Sequence, residues 1–204
     1  MNKQIEETIL ETCIKIGKRG EGAIILVGDA KCSPLVNQSV TPFKITNNPK
    51  LLESLALMDG AVIVSEDGML KSYGVKLETG NVIMRNFGTR HSAALSASMI
   101  KGNTVFVVSE EDRKVRILKE GKIILEIDSL TKNVEQKIPE ISKIMESVGY
   151  GTLGVLGMSV LTPVIGIVAI PGITIFVVTT GVAYFMKKAR EAKIIKWNTK
   201  KLKI

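Results

Sequence analysis

Residues 87–98, FGTRHSAALSAS, predict a turn that leads into a helix, and the predicted fold and site are arranged around this stretch. Gly88 permits a tight backbone, Thr89 is a good N-cap residue, and the alanines and leucine that follow favour helix. A helix start offers free N–H groups and the positive end of the helix dipole, so it can bind a phosphate. Arg90 adds a forked cation that suits phosphate oxygens, and the single histidine, His91, follows it.

A second stretch, residues 58–64, reads MDGAVIV and opens an apolar run of strand character with an Asp-Gly step. It puts the Asp59 carboxylate at the edge of a strand, where it could face a metal or a sugar hydroxyl. One acidic and one cationic motif together suggest a nucleotide site. The plain alternatives stay open here, because an Asp-Gly pair is usually only a turn and an Arg-His pair is more often surface or core than catalytic.

The net charge of +8 is concentrated at the C-terminal end of the chain. Residues 187–204 carry eight Lys or Arg residues and one Glu, which leaves the rest close to neutral. A basic tail without a basic face, with an aromatic content of 4%, argues against a nucleic-acid partner. One histidine and two cysteines without Cys-x-x-Cys spacing argue against zinc. Residues 1–12 are polar and acidic, unlike a signal peptide, so we expect the folded domain in the cytosol.

The periodicity of residues 1–130 predicts one α/β domain, with a mixed central sheet flanked by helices. Helices are predicted at 2–18, 49–56 and 90–101, strands at 23–27, 60–65, 69–77, 104–109, 113–118 and 122–127, a loop at 29–42 and a turn at 80–81. Ile5, Ile9, Cys13 and Ile16 form the apolar side of the first helix. Residues 131–147 are predicted to be a charged connector helix that Pro139 interrupts.

Residues 148–187 are predicted to form a C-terminal transmembrane helical hairpin, because residues 148–186 contain no charged residue. A spanning helix needs about 20 apolar residues, so the stretch fits two short spans with a break at residues 169–172, AIPG. The basic tail, residues 188–204, would then lie in the cytosol beside the domain. We therefore expect a multi-pass protein of the cell membrane with a cytoplasmic domain. A single span from about Leu161 and a buried soluble hairpin are the alternatives.

Residues 1–127 resemble the diadenylate cyclase family, which includes the nucleotidyl-transfer domain of the DNA-integrity scanning protein and its membrane relatives. The matching residues are Asp59-Gly60-Ala61, Gly74 to Leu77, Gly88-Thr89-Arg90-His91, Ala93-Ala94, Ser98 and the apolar run 104–111. Two positions depart from the family's pattern. Ser92 stands where a second arginine is common, and Met99 stands where membrane members often have a glutamate.

The resemblance implies an enzyme that condenses two ATP molecules into cyclic di-AMP and releases two pyrophosphates. It implies Asp59, Arg90 and His91 as catalytic residues, with Asp59 also the candidate ligand of a Mg²⁺ or Mn²⁺ cofactor. The implied ATP-binding residues are Gly60, Ala61, Leu77, Gly88, Thr89, Arg90, His91, Ser92, Ala93 and Ser98. Because one domain binds one ATP and two attacks must occur, two domains must meet face to face, as a homodimer or a higher homo-oligomer.

Two other functions stay open at this point. Ser92 and Met99 motivate a catalytically impaired, membrane-anchored sensor that binds nucleotide without turnover. A structural module is the second, in which residues 148–186 act as a membrane-insertion or oligomerisation hairpin. In either case the lipid bilayer is an expected partner, because the basic tail would be attracted to anionic head groups.

Overall fold

The structure is a computed structural model that describes residues 1–78, 88–149, 166–170 and 173–177. The helices of these residues are α1 (Lys3–Arg19), α2 (Pro49–Ala56), α3 (Thr89–Ser98) and α4 (Ile138–Gly149). The strands are β1 (Ala23–Val27), β2 (Cys32–Pro34), β3 (Ala61–Val64), β4 (Leu70–Leu77), β5 (Thr104–Val108), β6 (Lys114–Lys119), β7 (Lys122–Asp128), β8 (Gly166–Ile170) and β9 (Ile173–Val177). The predicted turn at residues 80–81 lies outside the described residues.

The strands of the described residues form one sheet in the order β2-β4-β3-β1-β5-β6-β7-β9-β8. β1 and β3 run parallel, with Ile25 opposite Val62, and the other neighbouring pairs are antiparallel. As a result, β1, β3 and β6 begin at the same edge of the sheet at which β4, β5 and β7 end. We call this edge the β1-start edge. The predicted mixed α/β sheet with flanking helices is confirmed.

The sheet buries an apolar core on each of its faces. α1, α2 and α4 cover one face, where Ile9, Cys13 and Phe106 have no exposed surface. Burial raises the pKa of the Cys13 thiol, so it is a protonated core side chain. α3 covers the other face and packs on β1, β5 and β6, and its Ala94 and Ala97 are buried in the core on that face. The alternation of side chains along each strand supplies both cores at once.

The predicted connector, residues 131–147, packs on the domain instead of standing apart from it. Val134, Ile138 and Ile141 are buried in the same core as α1. Pro139 does not interrupt the helix, because it lies in the first turn of α4, where a missing N–H breaks no helical hydrogen bond. The hydrophobic core therefore extends beyond the predicted domain end at residue 130.

The described part of the uncharged stretch is strand, which differs from the predicted helical spans. β8 and β9 are antiparallel, with Ile170 opposite Ile173, and β9 continues the sheet beside β7. The many β-branched residues of β8 and β9 favour strand. Among the described residues, no helix is long and apolar enough to cross a membrane. The rest of the predicted hairpin from residue 150 onwards, and the tail, lie outside those residues.

Candidate active site

The start of α3 is formed by Gly88, which occupies the N-cap position in an extended conformation (φ −71°, ψ 179°). Thr89 is the first helical residue and not the N-cap, so the prediction placed the cap one residue too late. The backbone N–H of Ser92 donates to the Gly88 carbonyl at 3.2 Å, and the Ser92 hydroxyl donates to it at 3.4 Å. The helix ends at Ser98, before the predicted stop. Gly88, Thr89 and Arg90 are exposed at this helix start.

Arg90 lies at the β1-start edge, between the residue that precedes β1 and the loop that follows β5. Its Nη1 donates to Glu110 Oε2 at 2.8 Å. A Cβ atom added at Gly22 would lie only 2.4 Å from the same Nη1, so the guanidinium rests against a bare glycine backbone. The Arg90 and Glu110 side chains are 44% and 55% exposed. An exposed ion pair of this kind is weak, which leaves the guanidinium open to exchange Glu110 for another anion.

Asp59 is exposed and stands two residues before β3, so it lies at the same edge as Arg90. Gly60 follows it with φ +100°, in the left-handed region. A Cβ atom there would lie 2.7 Å from the Val75 nitrogen and 2.8 Å from its oxygen. Because backbone atoms cannot turn aside as side chains do, only glycine fits between β3 and β4 at this point. The two motifs singled out in the sequence therefore lie at the same edge of the sheet.

Three of the predicted ATP-binding residues are packing residues of the α3 face. Ala61 and Leu77 are 1% and 5% exposed and belong to the core under α3, while Ala93 is partly buried against it. Their side chains belong to the hydrophobic core on the α3 face of the sheet. At the β1-start edge, Ala61 and Leu77 can contact a ligand through their backbone. Ala61 is the first residue of β3, and Leu77 is the last residue of β4.

The structure does not bring Ser98 to this edge. Ser98 is fully buried at the far end of α3, and its hydroxyl donates to the Leu95 carbonyl at 2.7 Å. A straight helix of this length separates it from Thr89 by about 13 Å, at 1.5 Å per residue. The phosphate or metal contact of Ser98 stays a prediction, and in this structure its hydroxyl closes the last turn of its own helix.

His91 is 6% exposed, and its Nε2 lies 3.1 Å from Nη1 of Arg116 on β6. Arg116 is not among the site residues predicted from the sequence. Its Nε donates to Glu126 Oε2 at 2.8 Å, Nη1 donates to Asp112 Oδ1 at 3.2 Å, and Nη2 also donates to Asp112. Lys114 shares the Glu126 carboxylate at 2.7 Å. A signal was present in the sequence, since Arg116 and Glu126 interrupt apolar strands at positions that alternate with core residues.

Burial and neighbouring groups set the protonation states of His91, Asp112 and Arg116 in this cluster. Burial, and then the Arg116 charge, lower the pKa of His91, so its imidazole is neutral at pH 7. Burial opposes the charge of Asp112, but its hydrogen bonds with Arg116 and Ser109 outweigh that effect and hold the pKa at about 2. Burial likewise opposes the charge of Arg116, yet Asp112 and Glu126 raise its pKa. The cluster is thus a charged guanidinium between carboxylates with a neutral imidazole beside it.

The described residues contain no group of three or more His, Cys, Asp or Glu side chains that could hold a metal ion. Asp59 is an exposed carboxylate at the β1-start edge, and Glu110, at the same edge, is another. Mg²⁺ is commonly held by one or two carboxylates together with substrate phosphates. The donor set at this edge therefore fits a divalent ion that shares its coordination with a bound triphosphate.

A cationic helix start beside an Asp-Gly strand start, on an α/β sheet, defines a nucleotide-binding domain. Residues 10–123 match the family model described as DAC, the DisA bacterial checkpoint controller nucleotide-binding domain. Because the match covers more than half of the chain, the chain belongs to this family, that of the diadenylate cyclases. The family resemblance stated from the sequence is confirmed.

Three curated relatives are named for diadenylate cyclase activity or for its product. The chain is 34% identical over 140 residues to a diadenylate cyclase of Haloferax volcanii, covering 59% of this chain and 51% of that one. It is 31% identical over 145 residues to one of Methanocaldococcus jannaschii, covering 62% and 46%. It is 31% identical over 111 residues to the cyclic di-AMP synthase CdaS of Bacillus subtilis, covering 52% and 54%. The chain spans about half the length of these curated relatives.

Proposed function

We propose that this chain is a diadenylate cyclase, which condenses two ATP molecules into cyclic di-AMP and two pyrophosphates. One observation carries the proposal: an exposed carboxylate at the start of β3 and the cationic start of α3 share one edge of the sheet. The family to which the chain belongs supports it further. Three relatives that match it are named for this activity or its product.

The reaction needs in-line placement of the attacking hydroxyl and the α-phosphorus, and cations and hydrogen-bond donors that neutralise the phosphate charge. The 3′-hydroxyl of one ATP attacks the α-phosphorus of the other, a new P–O bond forms, and the bond to pyrophosphate breaks. The proposed acceptor of the hydroxyl proton is the Asp59 carboxylate. Arg90 leaves Glu110 to bind phosphate oxygens, which is feasible because their ion pair is exposed and weak.

The proposed ATP site is built mainly from backbone at the two strand ends and the helix start. Gly88 and Thr89 would offer their N–H groups, and Thr89 also its hydroxyl, to phosphate at the positive end of the α3 dipole. Ser92 would contribute its hydroxyl by giving up the long hydrogen bond to the Gly88 carbonyl. Gly60 lets the nucleotide approach the backbone, since no side chain fits there. The backbone beside Leu77, at the end of β4, is the proposed reader of the adenine edge.

A divalent cation, Mg²⁺ or Mn²⁺, is the proposed cofactor, with Asp59 as its protein ligand. When bound, the ion would neutralise charge on the triphosphate. Two copies of the domain are proposed to meet with their sites facing, as a homodimer or a higher homo-oligomer, because each ATP must be attacked by the other.

The test is incubation of the purified full chain with ATP and either Mg²⁺ or Mn²⁺, followed by mass spectrometry. We expect cyclic di-AMP and pyrophosphate in a ratio of one to two. Absence of product with both metals, from protein that is folded and dimeric, would contradict the proposal. Calorimetry on the same samples distinguishes the cyclase from the alternative, a catalytically impaired sensor. Such a sensor would bind ATP or cyclic di-AMP and would convert neither.

We also propose that the protein is attached to the cell membrane, with its domain on the cytoplasmic side. The support is the absence of charge in residues 150–165 and 178–186, which precede β8 and follow β9 in the sequence, and the seven net positive charges of residues 187–204. We expect the full chain in the membrane fraction, resistant to high-salt and alkaline washing, and a chain ending at residue 147 in the soluble fraction. Release of the full chain by salt alone would indicate that only the basic tail binds lipid.

A further inference from the structure

His91 and Arg116 are in contact between the first turn of α3 and β6, on the buried side of the helix start. The Arg116 side chain is 4% exposed, and its Nη1 is 3.1 Å from His91 Nε2. An arginine has only donors, whereas each nitrogen of a neutral imidazole is either a donor or an acceptor. Nε2 must therefore accept, and the imidazole proton must be on Nδ1. From this geometry we infer that Arg116 is a positioning residue, which fixes His91 as its Nδ1–H tautomer.

The guanidinium cannot turn away from His91, because carboxylates on two other elements hold it. Asp112, in the turn before β6, accepts from Nη1 and Nη2. Glu126, directly opposite Arg116 in the register of β6 and β7, accepts from Nε. A planar fork with fixed donors can satisfy both carboxylates and still point one N–H at the imidazole. A lysine at the same position carries the charge but has no fixed fork, so it cannot make all of these contacts at once.

The charged groups around the imidazole come from every element packed against it. Arg116 and Asp112 belong to β6 and the turn before it, Glu126 to β7 and Arg90 to α3. The two cations oppose a positive imidazole, and the two carboxylates favour one. Burial adds to the effect of the cations, and the outcome is a neutral ring. A neutral ring is also what the contact with Arg116 requires, because a protonated Nε2 would point its proton at another donor.

This assignment gives His91 a specific part in the proposed cyclase reaction, on which this step rests. The Nε2 lone pair is occupied by Arg116, so His91 is not a general base through that nitrogen. Instead, the pair ties the first turn of α3 to β6, one residue after Arg90. Arg116 thereby acts on phosphate binding through His91 and the helix start, without a contact to substrate.

The tautomer can be read directly, because His91 is the single histidine of the chain. We would label the full chain with ¹⁵N-histidine and record long-range proton–nitrogen correlation spectra near neutral pH. We expect one imidazole, with Nδ1 showing the shift of a protonated nitrogen and Nε2 that of an unprotonated one. A dominant Nε2–H tautomer, or a protonated ring, would overturn the inference without any variant.

Arg116→Lys is the variant that tests the cause, and Arg113→Lys is the matched control. Arg113 is an exposed arginine of the same turn, and its backbone oxygen accepts from Ser129. In Arg116→Lys we expect the imidazole signals to move towards the mixture of tautomers seen in free histidine, and the control to keep the wild-type pattern. An unchanged pattern in folded Arg116→Lys would show that another group sets the tautomer.

Kinetics on the same proteins separate this inference from the proposed activity. We expect kcat/KM for ATP to fall about tenfold in Arg116→Lys, the loss of one well-placed hydrogen bond, and to stay unchanged in Arg113→Lys. A changed tautomer with unchanged kinetics would refute the positioning role. If the wild-type chain makes no cyclic di-AMP, the proposed function fails, while the spectra still decide the tautomer.

Discussion

Replacing Asp59 with Asn is expected to slow cyclic di-AMP formation by about a thousandfold, within the range that one general base supplies. Asn keeps the shape of the side chain and loses the carboxylate that would take the hydroxyl proton and bind the metal. The fold should be unaffected, because Asp59 is exposed and the glycine that follows it sets the local backbone. The measurement is cyclic di-AMP per unit time at saturating ATP and Mg²⁺, with thermal unfolding recorded alongside.

Asp29→Asn is the matched control for this substitution. Asp59 lies two residues before β3 begins, and Asp29 lies two residues after β1 ends. Because β1 and β3 run parallel, Asp29 is at the opposite edge of the sheet. Its side chain is 86% exposed, and Asn can still accept from the Ala30 N–H, as Asp29 does now. We expect wild-type rates from this variant. Turnover by Asp59→Asn within a few-fold of wild type would remove the carboxylate from the mechanism.

Local sequence patterns were enough to predict most of the helices and strands of the domain. The strand at Ala23–Val27 and the helix at Pro49–Ala56 have the predicted bounds, since continuous apolar runs and an Asn-Pro start are strong local patterns. β2 was missed within the predicted loop because Pro34 argues against a strand. It is tolerated there since β2 is the outermost strand of the sheet, where a missing N–H costs no ladder bond.

Features that depend on distant residues could not be predicted in the same way. Arg116 is 25 positions from His91, and only the packing of α3 on β6 brings them together. The uncharged run at 166–177 was interpreted by its length and lack of charge, which do not distinguish an apolar helix from paired strands. Ser98 was placed at the site by its position in the motif, but the length of α3 carries it to the far end.

Gly22→Ala is expected to lower kcat/KM for ATP about tenfold or more. This is the usual cost of losing one hydrogen bond to a charged group, here the bond from Arg90 to phosphate. The new methyl carbon would lie 2.4 Å from Arg90 Nη1, 2.9 Å from its Cζ and 3.3 Å from Glu110 Oε2. All three atoms are at the ends of flexible side chains, so the guanidinium moves and the backbone stays. Gly22 is not among the glycines with positive φ in the described chain, so alanine adds no backbone strain there.

The effect should therefore appear in nucleotide binding and not in stability. We expect weaker ATP binding by calorimetry, with a melting temperature within a few degrees of wild type. Glu21→Ala, at the exposed neighbouring position, is the control and should bind ATP as the wild type does. Unchanged ATP affinity in Gly22→Ala would mean that Arg90 binds nucleotide from a different position. A large fall in melting temperature would instead assign Gly22 to the fold. Unchanged affinity would separate the guanidinium from the phosphate site, because a displaced Arg90 weakens binding only if its present position beside β1 is the one that contacts the phosphates.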